Sequence, residues 1–321
     1  MECGNLIDIL NTEKTALASF SAPEILKIAQ RMRLTNSVYS ILRGHYGISV
    51  SQLACFKPVL EQNRDSAIRK LFLSIKINEL FQQYNIPVIH LKGLPLSQKL
   101  FGDPLIRQSC DIDLFISPQH LEQADEIFLE NGIIRDKYSF LHDVNKLKKH
   151  RVLNDVSYVA EKYGIRIELH WRLFRWKNKF NQPFEFYWIN KVPIFMGGKN
   201  LFYTLSPIDE YLYVAVHGAN HGFESLHWLY DFARYSTLLS MDERRRVGEL
   251  VDSLSIQTEY QMATYCAERI FPNVFIESSI AGLLPNSLTR KAMISLIYHS
   301  KSSYRSKRRM LRMVANKFYY I

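Results

Sequence analysis

Cys110-Asp111-Ile112-Asp113-Leu114-Phe115-Ile116 reads as a buried β-strand into which two acids have been set. Side chains of a strand alternate between faces, so both carboxylates project from one side while Ile112, Leu114 and Ile116 face the other. Two like charges this close repel each other unless a cation lies between them. An oxygen-preferring divalent ion, Mg²⁺ first and Mn²⁺ as the alternative, turns that repulsion into coordination. The D-x-D spacing also occurs at strand ends where water solvates the acids, so the flanking segments carry the decision.

Upstream, Ile86-Pro87-Val88-Ile89-His90-Leu91-Lys92-Gly93 is a short β-branched run closed by a Lys-Gly step, and Leu94 to Leu100 follow with helical apolar spacing. This predicts a strand, a tight turn and a helix start. Glycine at such a turn lets the backbone approach a ligand, and the free N–H groups of a helix N-terminus favour phosphate oxygens. Downstream, Gly164 to Trp171 alternates again: Arg166, Glu168 and His170 share one face, and Ile165, Ile167, Leu169 and Trp171 the other. Glu168 thereby supplies a third carboxylate. Three acids from neighbouring strands beside a glycine turn describe a two-metal site for phosphoryl chemistry, with one ion activating the attacking oxygen and the other steadying a triphosphate.

These residues together resemble a known family. His90-Leu91-Lys92-Gly93, Phe101-Gly102-Asp103-Pro104, Arg107, Asp111-Ile112-Asp113-Leu114 and Ile167-Glu168-Leu169-His170-Trp171 are similar to the bacterial uncharacterised nucleotidyltransferase family of the DNA polymerase β superfold. His217-Gly218-Ala219-Asn220-His221 and Leu226-His227-Trp228-Leu229-Tyr230-Asp231 resemble its helical half, so the likeness spans roughly residues 80 to 235. It implies an α+β fold, a small mixed sheet with packed helices, and transfer of a nucleoside monophosphate from a nucleoside triphosphate to an acceptor hydroxyl or similar group. Carried over by position, Asp111 and Asp113 match the metal-binding pair and Glu168 the third acid. The superfold usually has Gly-Ser or Gly-Gly at the turn, where this chain has Lys92-Gly93 and an interposed Phe101 to Arg107 loop.

The roles follow as expectations. Asp111 and Asp113 bind two Mg²⁺ ions, and Glu168 holds the catalytic one while taking the proton of the attacking hydroxyl. Lys92, with the Gly93 amide, neutralises the β- and γ-phosphates, and Arg107 is the second candidate because its fork suits phosphate oxygens. His217 and His221 are one helical turn apart. Gly218 excludes the zincin pattern, so either histidine is expected to contact nucleotide or acceptor from a helix lining the cleft. The four tryptophans read as core or cleft wall.

The chain has 321 residues, 47% hydrophobic and 13% aromatic, enough for a folded protein of two domains or one with appendages. Helical spacing predicts a helical region over 1–80, with a capping box at Ser21 and Glu24. Strand and helix signals alternate over 81–200, the expected catalytic core, including a helix from Pro118 to Asn131 and a basic loop from Arg135 to Arg151. Residues 201–321 read as helical, with a start at Ser206-Pro207. Cys3, Cys55, Cys110 and Cys266 form no C-x-x-C pair, which excludes a zinc ribbon and a disulfide framework. With no apolar run long enough for a bilayer and no secretory pattern at Met1 to Asn5, the expected location is cytoplasmic.

Net charge is +10, and the excess gathers in Lys301, Arg305, Lys307, Arg308, Arg309, Arg312 and Lys317. Apolar residues interleave with these at helical spacing, which reads as an amphipathic terminal helix, with nucleic-acid binding as the alternative. Two other function classes use similar residues. A D-x-D glycosyltransferase would hold a nucleotide-sugar through Mn²⁺, and a nucleotide-binding regulatory subunit would lack turnover. The first leaves Glu168 unexplained, and the second leaves three acids without a task. The acceptor, whether small molecule, peptide or protein, is set by loops rather than by the acids.

Overall fold

The computed structural model describes residues 4–11, 21–44, 48–136, 153–175 and 179–276. The basic tail and the 137–151 stretch of the basic loop lie outside these residues. Two compact units divide the chain: Gln62–Glu210 forms one, and Met1–Glu61 with Tyr211–Ile321 the other. The fold is α+β.

In order, the elements are α1 (Gly4–Leu10), α2 (Ala22–Arg31), α3 (Thr35–Arg43), α4 (Lys57–Gln83), β1 (Val88–Leu91), α5 (Gly93–Phe101), β2 (Asp111–Ile116), α6 (Leu121–Glu130), β3 (Ile133–Arg135), β4 (Asp155–Ala160), β5 (Ile165–His170), α7 (Phe184–Ile189), β6 (Val192–Met196), β7 (Asn200–Thr204), α8 (Pro207–Asn220), α9 (Leu226–Ser236), α10 (Met241–Ser253) and α11 (Gln257–Ile270). The expected helix from Pro118 begins as a 3₁₀ turn, Pro118–His120, before α6. Ser21 does precede α2, but its side chain makes no capping bond. Pro23, in the first turn, removes one of the N–H groups that such a cap serves. A reciprocal capping box is present instead at Ser240 and Glu243 of α10.

Five strands form a mixed sheet in the order β1-β2-β5-β4-β3, in which β2 and β5 run parallel and the other pairings are antiparallel. One face carries the apolar core. Ile112, Leu114 and Ile116 of β2, Ile165, Ile167 and Leu169 of β5, and Val156, Tyr158 and Ala160 of β4 pack there with Leu73, Ile77 and Phe81 of α4 and Leu121, Ala124, Ile127 and Phe128 of α6. Phe128 stacks on Phe81 at 5.4 Å and meets Tyr158 edge-on at 4.9 Å. Fully burying a side chain of this size stabilises the fold by roughly 1.5–3 kcal/mol.

Arg135 is a strand residue rather than the start of a loop. Its guanidinium makes a two-pronged contact with the Asp125 carboxylate, and the Tyr158 hydroxyl donates to the same carboxylate at 2.7 Å. Burial, then the Asp125 bond and charge, push the Tyr158 phenol far above its usual range.

A second, two-stranded sheet pairs β6 with β7. The pattern around Pro193 reads as a boundary from sequence, but Pro193 lies within β6, and Gly197 and Gly198, at φ 57° and 90°, turn the chain between the strands. A Cβ at Gly197 would come within 3.3 Å of Leu71 and 3.4 Å of Ile75 on α4, so glycine also permits close packing there.

Candidate active site

The site is built on the other face of the five-stranded sheet. Parallel pairing of β2 with β5 sets Asp111 opposite Arg166, Asp113 opposite Glu168 and Phe115 opposite His170. Antiparallel β4 then brings Asp155 opposite His170 and Ser157 opposite Glu168. Residues opposite one another share a face, so the register alone collects Asp111, Asp113, Asp155, Glu168 and His170 on one surface. Phe115 continues this face toward α7, where its ring contacts Phe184 and Tyr187 at 5.2 and 5.9 Å.

Asp113 is the buried centre. Its Oδ1 lies 3.2 Å from Lys92 Nζ and 3.3 Å from His170 Nε2, and the same ring nitrogen lies 3.6 Å from Glu168 Oε2. Asp113, Glu168 and His170 offer donor atoms all within 4.8 Å of one another, close enough to hold one metal ion. Asp111, half-buried two residues earlier, bears on Glu168 through its charge.

Charges in this pocket act on each other strongly. Burial alone would pull the His170 ring down, but hydrogen bonds to Asp113 and Glu168 and the charges of Asp155 and Asp113 outweigh it and raise the ring to about 10. Burial pushes the Glu168 carboxyl up, and Asp111 adds to that. The His170 hydrogen bond and charge, with Lys92, prevail and hold it below its usual value. Asp155 is raised, by burial first and then by Glu168 and Asp113, against the opposing charges of His170 and Arg175. Two cationic groups thus sit among the acids, and divalent-metal chemistry fits a donor set of this kind.

Lys92 stands at the turn between β1 and α5 with φ 48° and ψ −139°, a conformation that L-residues avoid, and Gly93 follows at φ 51°. Strain of this kind costs of order 1–3 kcal/mol and persists where the surroundings enforce it. Here it delivers the Lys92 ammonium to Asp113 and makes Gly93 the first residue of α5. The Phe101 to Arg107 loop is pinned from α5. Ser97 Oγ donates to the Asp103 carbonyl at 2.6 Å and accepts from the Arg107 N–H at 2.8 Å, while Asp103 Oδ1 accepts from the Leu105 N–H at 2.8 Å. Gly102, at φ 71°, ends the helix, and Arg107 is buried. On the other side, Lys70 of α4 donates to the Ser109 carbonyl and, at 3.2 Å, to its hydroxyl, fixing the chain just before Asp111.

His217 and His221 belong to the second unit. Their rings lie 4.7 Å apart and pack on Trp228, at 5.5 and 4.9 Å respectively. Gly218 between them faces Phe223: a Cβ there would fall 2.2 Å from that ring, so the His-Gly-Ala-Asn-His spacing also serves a close packing.

Sequence reasoning assigned no role to His170 or Asp155. The alternation of β5 already placed His170 beside Glu168, whereas Asp155 becomes visible only through the β4–β5 register.

A mixed sheet carrying acids and a lysine turn on one face suits metal-assisted phosphoryl chemistry. Residues 18–272 match the family described as "uncharacterised nucleotidyltransferase", and the chain belongs to that family. It is accordingly an enzyme that uses a nucleoside triphosphate. Among curated proteins none matches the chain significantly. Among the described residues, no helix is long and apolar enough to cross a membrane.

Proposed function

We propose that this protein transfers a nucleoside monophosphate from a nucleoside triphosphate to an acceptor hydroxyl or similar group, with release of pyrophosphate, in the cytoplasm. The observation that carries this reading is the convergence of Asp113 and Glu168, from parallel neighbouring strands, on one pocket beside the Lys92-Gly93 turn. Asp111, Asp113 and Glu168 would hold the divalent ions, Mg²⁺ in the first instance. Such ions neutralise the triphosphate and make the attacking oxygen more acidic.

The chain's own groups divide the remaining work. Glu168, held ionised by His170, accepts the proton of the acceptor hydroxyl. Lys92 exchanges its contact with Asp113 for the β- and γ-phosphate oxygens, which match its charge, and the Gly93 amide at the start of α5 points free N–H toward the same oxygens. Arg107, whose backbone N–H is held by Ser97 of α5, is assigned as the second cation for the triphosphate. His217 and His221 are assigned to contacts with nucleotide or acceptor, and the acceptor is a small molecule, peptide or protein.

Incubation with each α-labelled nucleoside triphosphate, Mg²⁺ and a cell extract tests the reading. Label is expected in an acceptor product, with unlabelled pyrophosphate released. Transfer of label only from γ-labelled nucleotide would show a kinase instead, and absence of transfer with all four nucleotides would overturn the proposal.

A further inference from the structure

In an in-line displacement the attacking oxygen arrives opposite the leaving pyrophosphate. The sheet lays out that axis. Lys92 and Gly93, assigned to the β- and γ-phosphates, follow β1; Asp113 and Glu168 stand on β2 and β5; and β4 and β3 come next in the order β1-β2-β5-β4-β3. An acceptor that brings its hydroxyl to Glu168 from the far side therefore lies over β4 and β3. Ser157, opposite Glu168, and Val159, opposite Arg166, form the floor there, and both are half-buried rather than sealed.

Arg166, two residues before Glu168 on the same face, has no task in the proposed reaction. Its guanidinium leans across β4, with Nη2 3.0 Å from Asp136 Oδ2 just past β3. The Asp136 N–H donates to the Ser157 carbonyl at 2.9 Å, which ties that acid to the floor. The Arg166 side chain is 52% exposed and that of Asp136 only 8%, so a buried carboxylate sets the direction of a fork whose outer side meets water. Asp111 stands opposite Arg166 on β2 and is assigned to the divalent ions. At the other end of β4, Arg175 lies 3.8 Å from Asp155 and donates through Nε to Asn154 Oδ1 at 3.2 Å, so two of its nitrogens are already directed inward. A pre-oriented, half-open guanidinium suits two-pronged recognition of a carboxylate or phosphate. We infer that the acceptor is a hydroxyl compound bearing such an anion, bound over β4 with the anion on Arg166 and the hydroxyl beside Glu168. The inference rests on the nucleotidyl-transfer reading above and narrows its acceptor. Same-face neighbours of a strand are about 7 Å apart, so hydroxyl and anion are separated by a comparable length, roughly a four-carbon chain.

A matched set of probes of that length tests it: γ-hydroxybutyrate, hydroxybutyl phosphate, the uncharged butanediol and the cationic aminobutanol. Binding to the full-length protein is followed by nuclear magnetic resonance titration with Mg²⁺ and inorganic triphosphate present, so that the Lys92 side is filled. At least one anionic probe should bind about tenfold more tightly than butanediol, the size of one charge-assisted contact, with aminobutanol the weakest. Whether the carboxylate or the phosphate gains names the group that Arg166 takes. Arg166→Gln should erase the preference while triphosphate affinity stays at the wild-type value. Arg166→Lys keeps the charge over Asp136 but loses the fork, and should weaken the preference about threefold, a readout that does not depend on the Gln variant folding. Equal binding of all probes, tightest binding of aminobutanol, or a preference that survives unchanged in both variants would overturn the inference. Failure of the wild type to bind triphosphate would instead count against the functional proposal. The titrations are read without turnover, so an anion preference in a protein that moves no nucleotide from α-labelled triphosphate would sink that proposal and leave the anion site standing.

Discussion

The two faces of the five-stranded sheet are made by the same strands and obey opposite rules. On the face toward α4 and α6, successive layers of Ile112, Leu114, Ile167, Leu169 and Phe128 are interchangeable in kind: each contributes by area and fit. On the other face, Asp113, Glu168, His170 and Lys92 are neither interchangeable nor separately stable, since each is charged or polar and depends on its neighbours for compensation. One face specifies the fold and should tolerate gradual change, whereas the other, on the proposed function, carries the chemistry and should fail when a single charge is lost.

The widest gap between the faces should appear at Asp113. Asp113→Asn keeps the shape but removes the charge between two cationic groups, and turnover should fall about 10⁴-fold, more than 5 kcal/mol of barrier. Metal and nucleotide binding by calorimetry would report the loss at the site, and wild-type turnover with normal metal binding would refute the assignment. On the opposite face, Phe128→Ala should cost about 3–5 kcal/mol of unfolding free energy, from lost burial and a residual cavity, measured by denaturant titration. Under conditions where that variant stays folded, its kcat should remain within a few-fold of wild type. A catalytic collapse without destabilisation would break the contrast.

Smaller effects sharpen it. Lys70→Met preserves the apolar stem but releases the Ser109 carbonyl ahead of Asp111, so kcat should drop roughly tenfold, about 1.4 kcal/mol, with little change in thermal midpoint. His90 tests the buried interior of β1 through pH. Its ring is fully buried, packs edge-on against Phe202, and burial lowers its pKa to about 3, while the unfolded chain takes up a proton below the ordinary value of 6.5. The associated stability is intact above pH 6.5 and is lost as pH falls from 6.5 toward 3, by up to about 1.4 kcal/mol per unit. His90→Leu should remove that slope, seen as a smaller difference in unfolding free energy between pH 6.5 and pH 5 than in wild type. An unchanged slope would mean that His90 does not stay neutral in the fold.

Much of this contrast was legible in the residues themselves. Period-two alternation in 111–116 and 165–171 separates the acids from Ile112, Leu114, Ile167 and Leu169, and the structure keeps that separation. The helix after Gly93 and the helix over 121–130 follow from apolar spacing in the same way. Information that depends on pairing was not legible. Asp155 enters the site because β4 meets β5 at one register, and no local pattern in 153–160 announces that partner. The β6–β7 hairpin was hidden because Pro193 reads as a breaker, yet proline is tolerated on strands whose N–H needs no partner. Lys92 was read as a phosphate-facing cation, but its ion pair with Asp113 depends on a positive φ that sequence does not advertise for lysine.

The parallel alignment of β2 with β5 has a consequence for how the enzyme comes into being. Asp113 and Glu168 are 55 positions apart along the chain (168 minus 113), and α6, β3 and β4 intervene before the two strands can meet. Contacts of such long sequence separation form only after the entropy of closing the intervening loop has been overcome, which makes them slow. During synthesis the acids of β2 emerge well before their partner, so a nascent chain that stops short of Ile165 carries half a centre and no competence. No metal-binding centre is therefore expected in any truncated chain that ends before β5.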